Sequence, residues 1–148
     1  FKLAMQTLDF TRPGTAIGAV GVAQAAYELA VEYAKERVTF DVPIAMHQGV
    51  NFMIADMATE IEAARLLCYR AAAVKDAGEK VTQFSAMAKL YASEVAVRTA
   101  NEGVQIFGGY GYTKDYPAEK YYRDAKLCTI GEGPSEIQKL VIARLLLK

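Results

Sequence analysis

Apolar residues recur every three or four positions through most of the chain, the spacing of helices with one buried face. Thr11-Arg12-Pro13 reads as a helix entry, with proline tolerated in a first turn. A stripe then runs through Ala16, Val20, Ala23, Tyr27, Ala30 and Ala34. Small residues crowd this segment (Ala16, Gly18, Ala19, Gly21, Ala23, Ala25, Ala26), so a neighbouring helix can approach closely. The run from Arg37 to Pro43 breaks the pattern and reads as a loop. A second helix is predicted from about Gln48 to Asp76, with Val50, Met53, Ile54, Met57, Ile61, Ala64, Cys68 and Ala71 inward. Glu60, Glu62 and Arg65 fall on its solvated side, and Gly78 is its cap.

A third helix is predicted from about Thr82 to Phe107, with Phe84, Met87, Tyr91, Val95 and Val104 on one side. It stops at Gly108-Gly109. Gly108 to Pro117 is turn-rich, and a shorter helix follows to about Leu127. After the break at Gly131-Glu132-Gly133-Pro134, a last helix runs from Ser135 to Leu147, with Ile137, Val141 and Leu145 aligned. No stretch alternates as a strand would. The expected fold is all-α: an up-down four-helix bundle with an additional C-terminal helix as an arm.

The 148 residues suit one domain. Lysine plus arginine equals aspartate plus glutamate at 17 each, which argues against a nucleic-acid binder or an anionic-membrane binder. The apolar fraction of 53% argues against disorder. Membrane insertion is not expected, because the longest apolar run, Ala16 to Ala23, is far short of the ~20 residues a span needs. Cys68 and Cys128 read as small buried hydrophobes in a reducing compartment, and one histidine leaves no zinc set. The chain opens on Phe1 rather than Met, as a piece of something longer would.

Three places carry candidate chemistry. Glu132 sits between glycines, where an apolar ligand packed close would raise its pKa and make it a general base; the plainer alternative is an exposed turn. Gln105 to Tyr112 is glycine-rich, which suits either a helix cap or backbone donors approaching a phosphate. Arg37 to Phe40, with His47-Gln48 beyond, offers an arginine for a phosphate and an aromatic for a binding surface, or an ordinary connection.

Taken together, these segments closely resemble the C-terminal part of the acyl-CoA dehydrogenases. The blocks are Gln105-x-x-Gly-Gly-x-Gly-Tyr112, Asp115-Tyr-Pro-x-Glu-Lys-x-x-Arg-Asp124 and Glu132-Gly-x-Ser135, with Arg37-x-Thr-Phe40, His47-Gln48 and Thr11-Arg12-Pro13 in the expected order. The resemblance covers essentially the whole chain. It implies residues 1–148 as the C-terminal bundle of a parent that also has an N-terminal helical domain and a middle β-domain. It implies a homotetramer or dimer, an acyl-CoA substrate, FAD as cofactor and an electron-transferring flavoprotein as electron acceptor. The implied compartment is the bacterial cytoplasm or the mitochondrial matrix.

In the implied reaction Glu132 removes the α-proton of the thioester and the β-hydride passes to the flavin N5. The isolated piece would be inactive. A non-catalytic oligomerisation module and an acyl-CoA oxidase of the same fold are the alternatives. Asp9, Thr11, Arg12, Gly131 and Gly133 match positions on the substrate side. Arg37, Thr39, Phe40, His47 and Gln48, with Gln105, Ile106, Phe107, Gly108 and Gly109, match positions reaching a neighbouring subunit's FAD. Pro134 and Glu136 match positions beside the subunit's own FAD.

Some members carry their base at the position of Thr11, and threonine cannot take that role, which leaves Glu132. Three departures stand out: Gly131 where many members have tyrosine, Pro134 where many have threonine, and Glu136 where many have glutamine. Loss of the tyrosine bulk makes room for a broader or cyclic acyl group.

Overall fold

A computed structural model describes residues 2–148 of the chain; Phe1, and with it the expectation about the chain start, lies outside the described residues. The structure is all-α apart from one short hairpin. Its helices are α1 (Lys2–Glu36), α2 (Gln48–Asp76), α3 (Thr82–Phe107), α4 (Ala118–Cys128) and α5 (Ser135–Leu146). The start of α1 meets the start of α3 through Asp9, Thr82 and Ser85, and their far ends meet where the Tyr33 and Phe107 rings stack at 4.0 Å. These two helices are therefore parallel. Met57, early in α2, packs with Ala30, Ala34 and Ile106, all late in their helices, so α2 runs the other way. Helix α4 returns along α1 and α3 after a 3-10 turn at Gly108–Tyr112, and α5 lies on α3. The up-down bundle with an arm is the architecture observed.

The α1 stripe is buried as expected, Tyr27 in part, and so is that of α2 from Met57 onward. Ala16, Ala19, Ala23 and Ala26 meet Ala88, Ala92, Ala96 and Ala100 in one core. A Cβ added at Gly103 would lie 3.6 Å from the Ala26 carbonyl, which shows how close the two backbones come. Burial pushes the Cys68 thiol up to about 11, and that of Cys128 upward as well, so both stay protonated.

Two expectations need correction. Helix α1 does not enter at Pro13 but begins upstream of it, with Pro13 inside. Proline has no N–H, so the Asp9 carbonyl loses its donor four residues on. The Ser85 hydroxyl, fully buried, donates to that carbonyl at 3.0 Å instead. Ser85→Ala should cost about 1–3 kcal/mol by leaving this carbonyl unpaired, a loss readable as a lower denaturant midpoint.

The loop at 37–43 contains a two-stranded hairpin, β1 (Val38–Thr39) against β2 (Val42–Pro43). Its central residues, Phe40 and Asp41, both have positive φ, 51° and 65°, the geometry of a primed two-residue turn. On α3, Phe84, Met87, Tyr91 and Val104 are only half-buried, because the helix is packed by α1, α2, α4 and α5 and buries its small and polar residues. On α5 the Ile137 and Leu145 positions are exposed, and Ser135 and Gln138 face inward. Among the described residues, no helix is long and apolar enough to cross a membrane.

Candidate functional site

Two groups of candidate residues lie at opposite ends of the bundle. The stretch of α3 from Lys89 to Phe107 that separates them spans about 27 Å at a rise of ~1.5 Å per residue.

At the end where α1 and α3 begin, the turn between α4 and α5 folds over them. Glu132 has φ 58° and Gly133 φ 93°, both left-handed. Such a conformation costs a non-glycine residue about 1–3 kcal/mol unless its surroundings impose it. Here they do. Arg12 Nε and Gln138 Nε2 each donate to the Glu132 carbonyl at 3.2 Å. Lys89 Nζ donates to the Gly133 carbonyl at 2.8 Å, joined by Gln138 Nε2 at 2.9 Å. Arg12, Lys89 and Gln138 are all buried, with Arg12 only 1% exposed. The Gln138 Oε1 atom is buried without a protein partner.

These bonds aim the turn's carbonyls inward and leave the half-buried Glu132 side chain turned toward Thr11. The Thr11 hydroxyl donates to Glu132 Oε2 at 2.6 Å, a length typical of a hydroxyl on a carboxylate. Among the described residues the Glu132 N–H makes no hydrogen bond within the protein. Arg12 is anchored from behind by Asp9 at 2.8 Å, and Asp9 accepts from Thr82 at 2.7 Å. Gly133 has no room for a side chain, since a Cβ there would meet Gln138 Nε2 at 2.8 Å. Gly131 is open, its nearest neighbour being the Leu127 carbonyl at 3.5 Å. Pro134 caps α5 and Glu136 is exposed, while the Ser135 hydroxyl donates to Glu94 at 2.6 Å.

At the other end, Arg37, Thr39, Phe107, Gly108 and Gly109 line a cleft of about 480 Å³ with Tyr33 and Tyr110. Gly108 (φ 60°) ends α3, and neither it nor Gly109 has a neighbour where a Cβ would stand, so their backbone is open to a ligand. Arg37 is exposed and, among the described residues, has no acidic partner. Thr39 and His47 are joined at 3.0 Å, oxygen to Nε2. Phe40, 90% exposed, stands at the hairpin tip edge-on to the His47 ring. Gln48 and Gln105 are exposed, and Ile106 is buried in the core.

The structure brings together Asp9, Thr11, Arg12 and Glu132, which the resemblance puts on the substrate side and at the base. Sequence reasoning missed Lys89, Gln138, Ser85, Thr82 and Glu94. One signal was available for Lys89: it interrupts the apolar face of α3 at the spacing of buried Ala88, Ala92 and Ala96. Burial lowers the Lys89 pKa below its ordinary value.

A bundle that presents a carboxylate from a left-handed turn at one end and an arginine-glycine cleft at the other defines a particular class. Residues 1–147 match the acyl-CoA dehydrogenase C-terminal domain, and the chain belongs to that family of flavoprotein oxidoreductases. It is 52% identical over 148 residues to the mitochondrial short-chain specific acyl-CoA dehydrogenase of Rattus norvegicus, covering all of this chain and 36% of that enzyme. It is 50% identical to the caffeyl-CoA reductase-Etf complex subunit CarC of Acetobacterium woodii, over all of this chain and 39% of that protein. The solved structure of butyryl-CoA dehydrogenase from Megasphaera elsdenii superimposes with a TM-score of 0.98 at 49% identity, over 100% of this chain and 39% of that one. The chain thus spans well under half the length of these relatives.

Proposed function

We propose that residues 1–148 form the C-terminal bundle of a longer, FAD-dependent acyl-CoA dehydrogenase, with Glu132 as the base that removes the α-proton of an acyl-CoA thioester. The observation that carries this reading is the Glu132 turn. Its carboxylate is held by one hydroxyl, and among the described residues its N–H has no protein acceptor, so it can donate to a ligand oxygen. An α-proton of a thioester is weakly acidic. Removing it takes a placed carboxylate together with a donor for the enolate oxygen, and Glu132 offers both from one residue. Thr11 fixes the carboxylate rotamer by donating to Oε2, which leaves Oε1 for the substrate proton.

The residues at the far end fit FAD. Arg37 carries an unpaired charge suited to a diphosphate, the glycine pair allows close backbone approach, and the cleft has aromatic walls. When bound, FAD supplies the acceptor for the β-hydride. The ~27 Å between the two ends supports the view that the Arg37 end serves the flavin of another subunit while Pro134 to Glu136 face the chain's own. A homotetramer or dimer would supply that neighbour, and an electron-transferring flavoprotein is the proposed electron acceptor. The same geometry run backwards, Glu132 returning the proton, describes reduction of an α,β-unsaturated acyl-CoA; the Acetobacterium relative is named as a subunit of a caffeyl-CoA reductase-Etf complex.

The test is to express the full-length protein, measure its flavin content, and follow dehydrogenation over a panel of straight, branched and cyclic acyl-CoAs. Bound FAD and turnover of the panel are expected, and the open space at Gly131 predicts that branched or cyclic acyl groups are accepted. Turnover of short straight chains alone would refute the acyl preference. Absence of both flavin and turnover would refute the function.

A further inference from the structure

Lys89 is a buried ammonium without a carboxylate partner within ion-pair distance among the described residues. Its one hydrogen bond is to the Gly133 carbonyl, at 2.8 Å. Burying an ammonium costs several kcal/mol, and a neutral donor would satisfy one carbonyl at a far lower cost. A second amide donor, Gln138, already serves that same carbonyl. Lys89 from α3 and Gln138 from α5 thus converge on one carbonyl and hold the turn from two sides.

We propose that Lys89 is a positioning residue for Glu132. Through the Gly133 carbonyl it holds the left-handed turn that presents the carboxylate. The proposal rests on the reading of Glu132 as the base. The geometry is direct: Lys89 binds the peptide unit next to Glu132 from the bundle interior, while Thr11 holds the carboxylate from the outer side.

The groups facing Lys89 come from every element around it. They are Arg12 with its partner Asp9 from α1, Glu94 from α3 itself, the protonated Cys128 from α4, and Glu132 from the turn; α5 contributes the uncharged Gln138. Glu94 is engaged by Ser135. Arg12 is neutralised by Asp9. Lys89 is then the free cation on the inner side of the turn, directed at the Gly133 carbonyl.

The experiment uses the full-length, flavin-loaded protein with Lys89→Met, Lys89→Gln and Glu132→Gln in parallel. Turnover is read across pH, together with flavin content and thermal stability. Lys89→Met should lower kcat at least about tenfold with little change in KM, because the base is misplaced rather than the ligand lost. Lys89→Gln keeps a donor and removes the charge. It should recover part of kcat, again with little change in KM. A merely structural lysine would show no such rescue and would lower kcat only together with flavin content and thermal stability.

Wild-type kcat in both lysine variants would overturn the proposal. So would failure of both to fold with flavin, which would make Lys89 a folding residue only. The Glu132→Gln arm separates the two readings. If it stays active, the base assignment itself is wrong; if it is dead while the lysine variants behave as wild type, only the role of Lys89 falls.

Discussion

Glu132→Gln in the full-length enzyme is expected to abolish flavin reduction by substrate while leaving the fold and ligand binding almost untouched. Glutamine matches glutamate in shape, and its amide oxygen can still accept from Thr11, as Glu132 Oε2 does at 2.6 Å. The backbone clamp is unaffected, because Arg12, Lys89 and Gln138 hold carbonyls and not the side chain. What is lost is a group able to take a proton. A general base contributes about 10²–10⁴-fold, so the rate should fall by at least that factor. Rapid anaerobic mixing with acyl-CoA reads the rate directly as flavin bleaching, and equilibrium titration reads retained binding. Bleaching at close to the wild-type rate would move the base elsewhere. Thr11, the other side chain at this position, could not replace it.

Gly133→Ala is expected to damage both stability and catalysis. At φ 93° an alanine is strained whatever space it has, at about 1–3 kcal/mol. Its methyl group would also lie 2.8 Å from Gln138 Nε2. That amide would have to swing away, and with it would go its bonds to the carbonyls of both Glu132 and Gly133. The turn would relax toward an ordinary conformation and carry the Glu132 carboxylate off its line. Chemical denaturation should show the stability loss, and kcat should fall more than ligand affinity. A variant with unchanged kcat and midpoint would mean that the turn does not depend on this conformation. Gly131→Ala is a useful contrast, since a methyl group there meets nothing closer than 3.5 Å.

The helices were legible because repetitive backbone geometry writes itself into spacing. The stripe Met57, Ile61, Ala64, Cys68, Ala71 can be buried only by a helix, and α2 has the predicted limits of Gln48 and Asp76. Single residues that break the repeat were harder to read. Pro13 resembles a helix start because local propensity cannot see that Ser85, far along the chain, will satisfy the carbonyl it frees. Phe40-Asp41 does not resemble a primed turn, because neither residue is glycine or asparagine. On α5 the alignment of Ile137 and Leu145 is real, yet Ser135 and Gln138 are the buried side chains, because Ser135 meets Glu94 and Gln138 reaches the carbonyls of the preceding turn.

Glu132 was conspicuous between its glycines. Its supports were not, because Lys89, Thr11 and Arg12 come from distant parts of the chain and meet it only after the bundle closes. Spacing along the sequence carries no record of such meetings. The resemblance of motifs supplied Glu132, Thr11 and Arg12 together, and the structure adds what holds them there.

The alanine seam between α1 and α3 has a consequence for how this chain can vary. Side chains this short have no rotamers with which to absorb a shift, and the two backbones approach closely along it. Lys89 near one end of α3 and Phe107 at the other are thus fixed in rotation as well as in distance. One residue inserted between them would turn Phe107 by about 100° relative to Lys89 and lengthen the helix by ~1.5 Å. The stacked ring of Tyr33 would lose its partner, or the lysine would leave the turn. A change in the length of this stretch therefore cannot be absorbed locally. Two points about five turns apart on one helix are held in phase by a row of methyl groups.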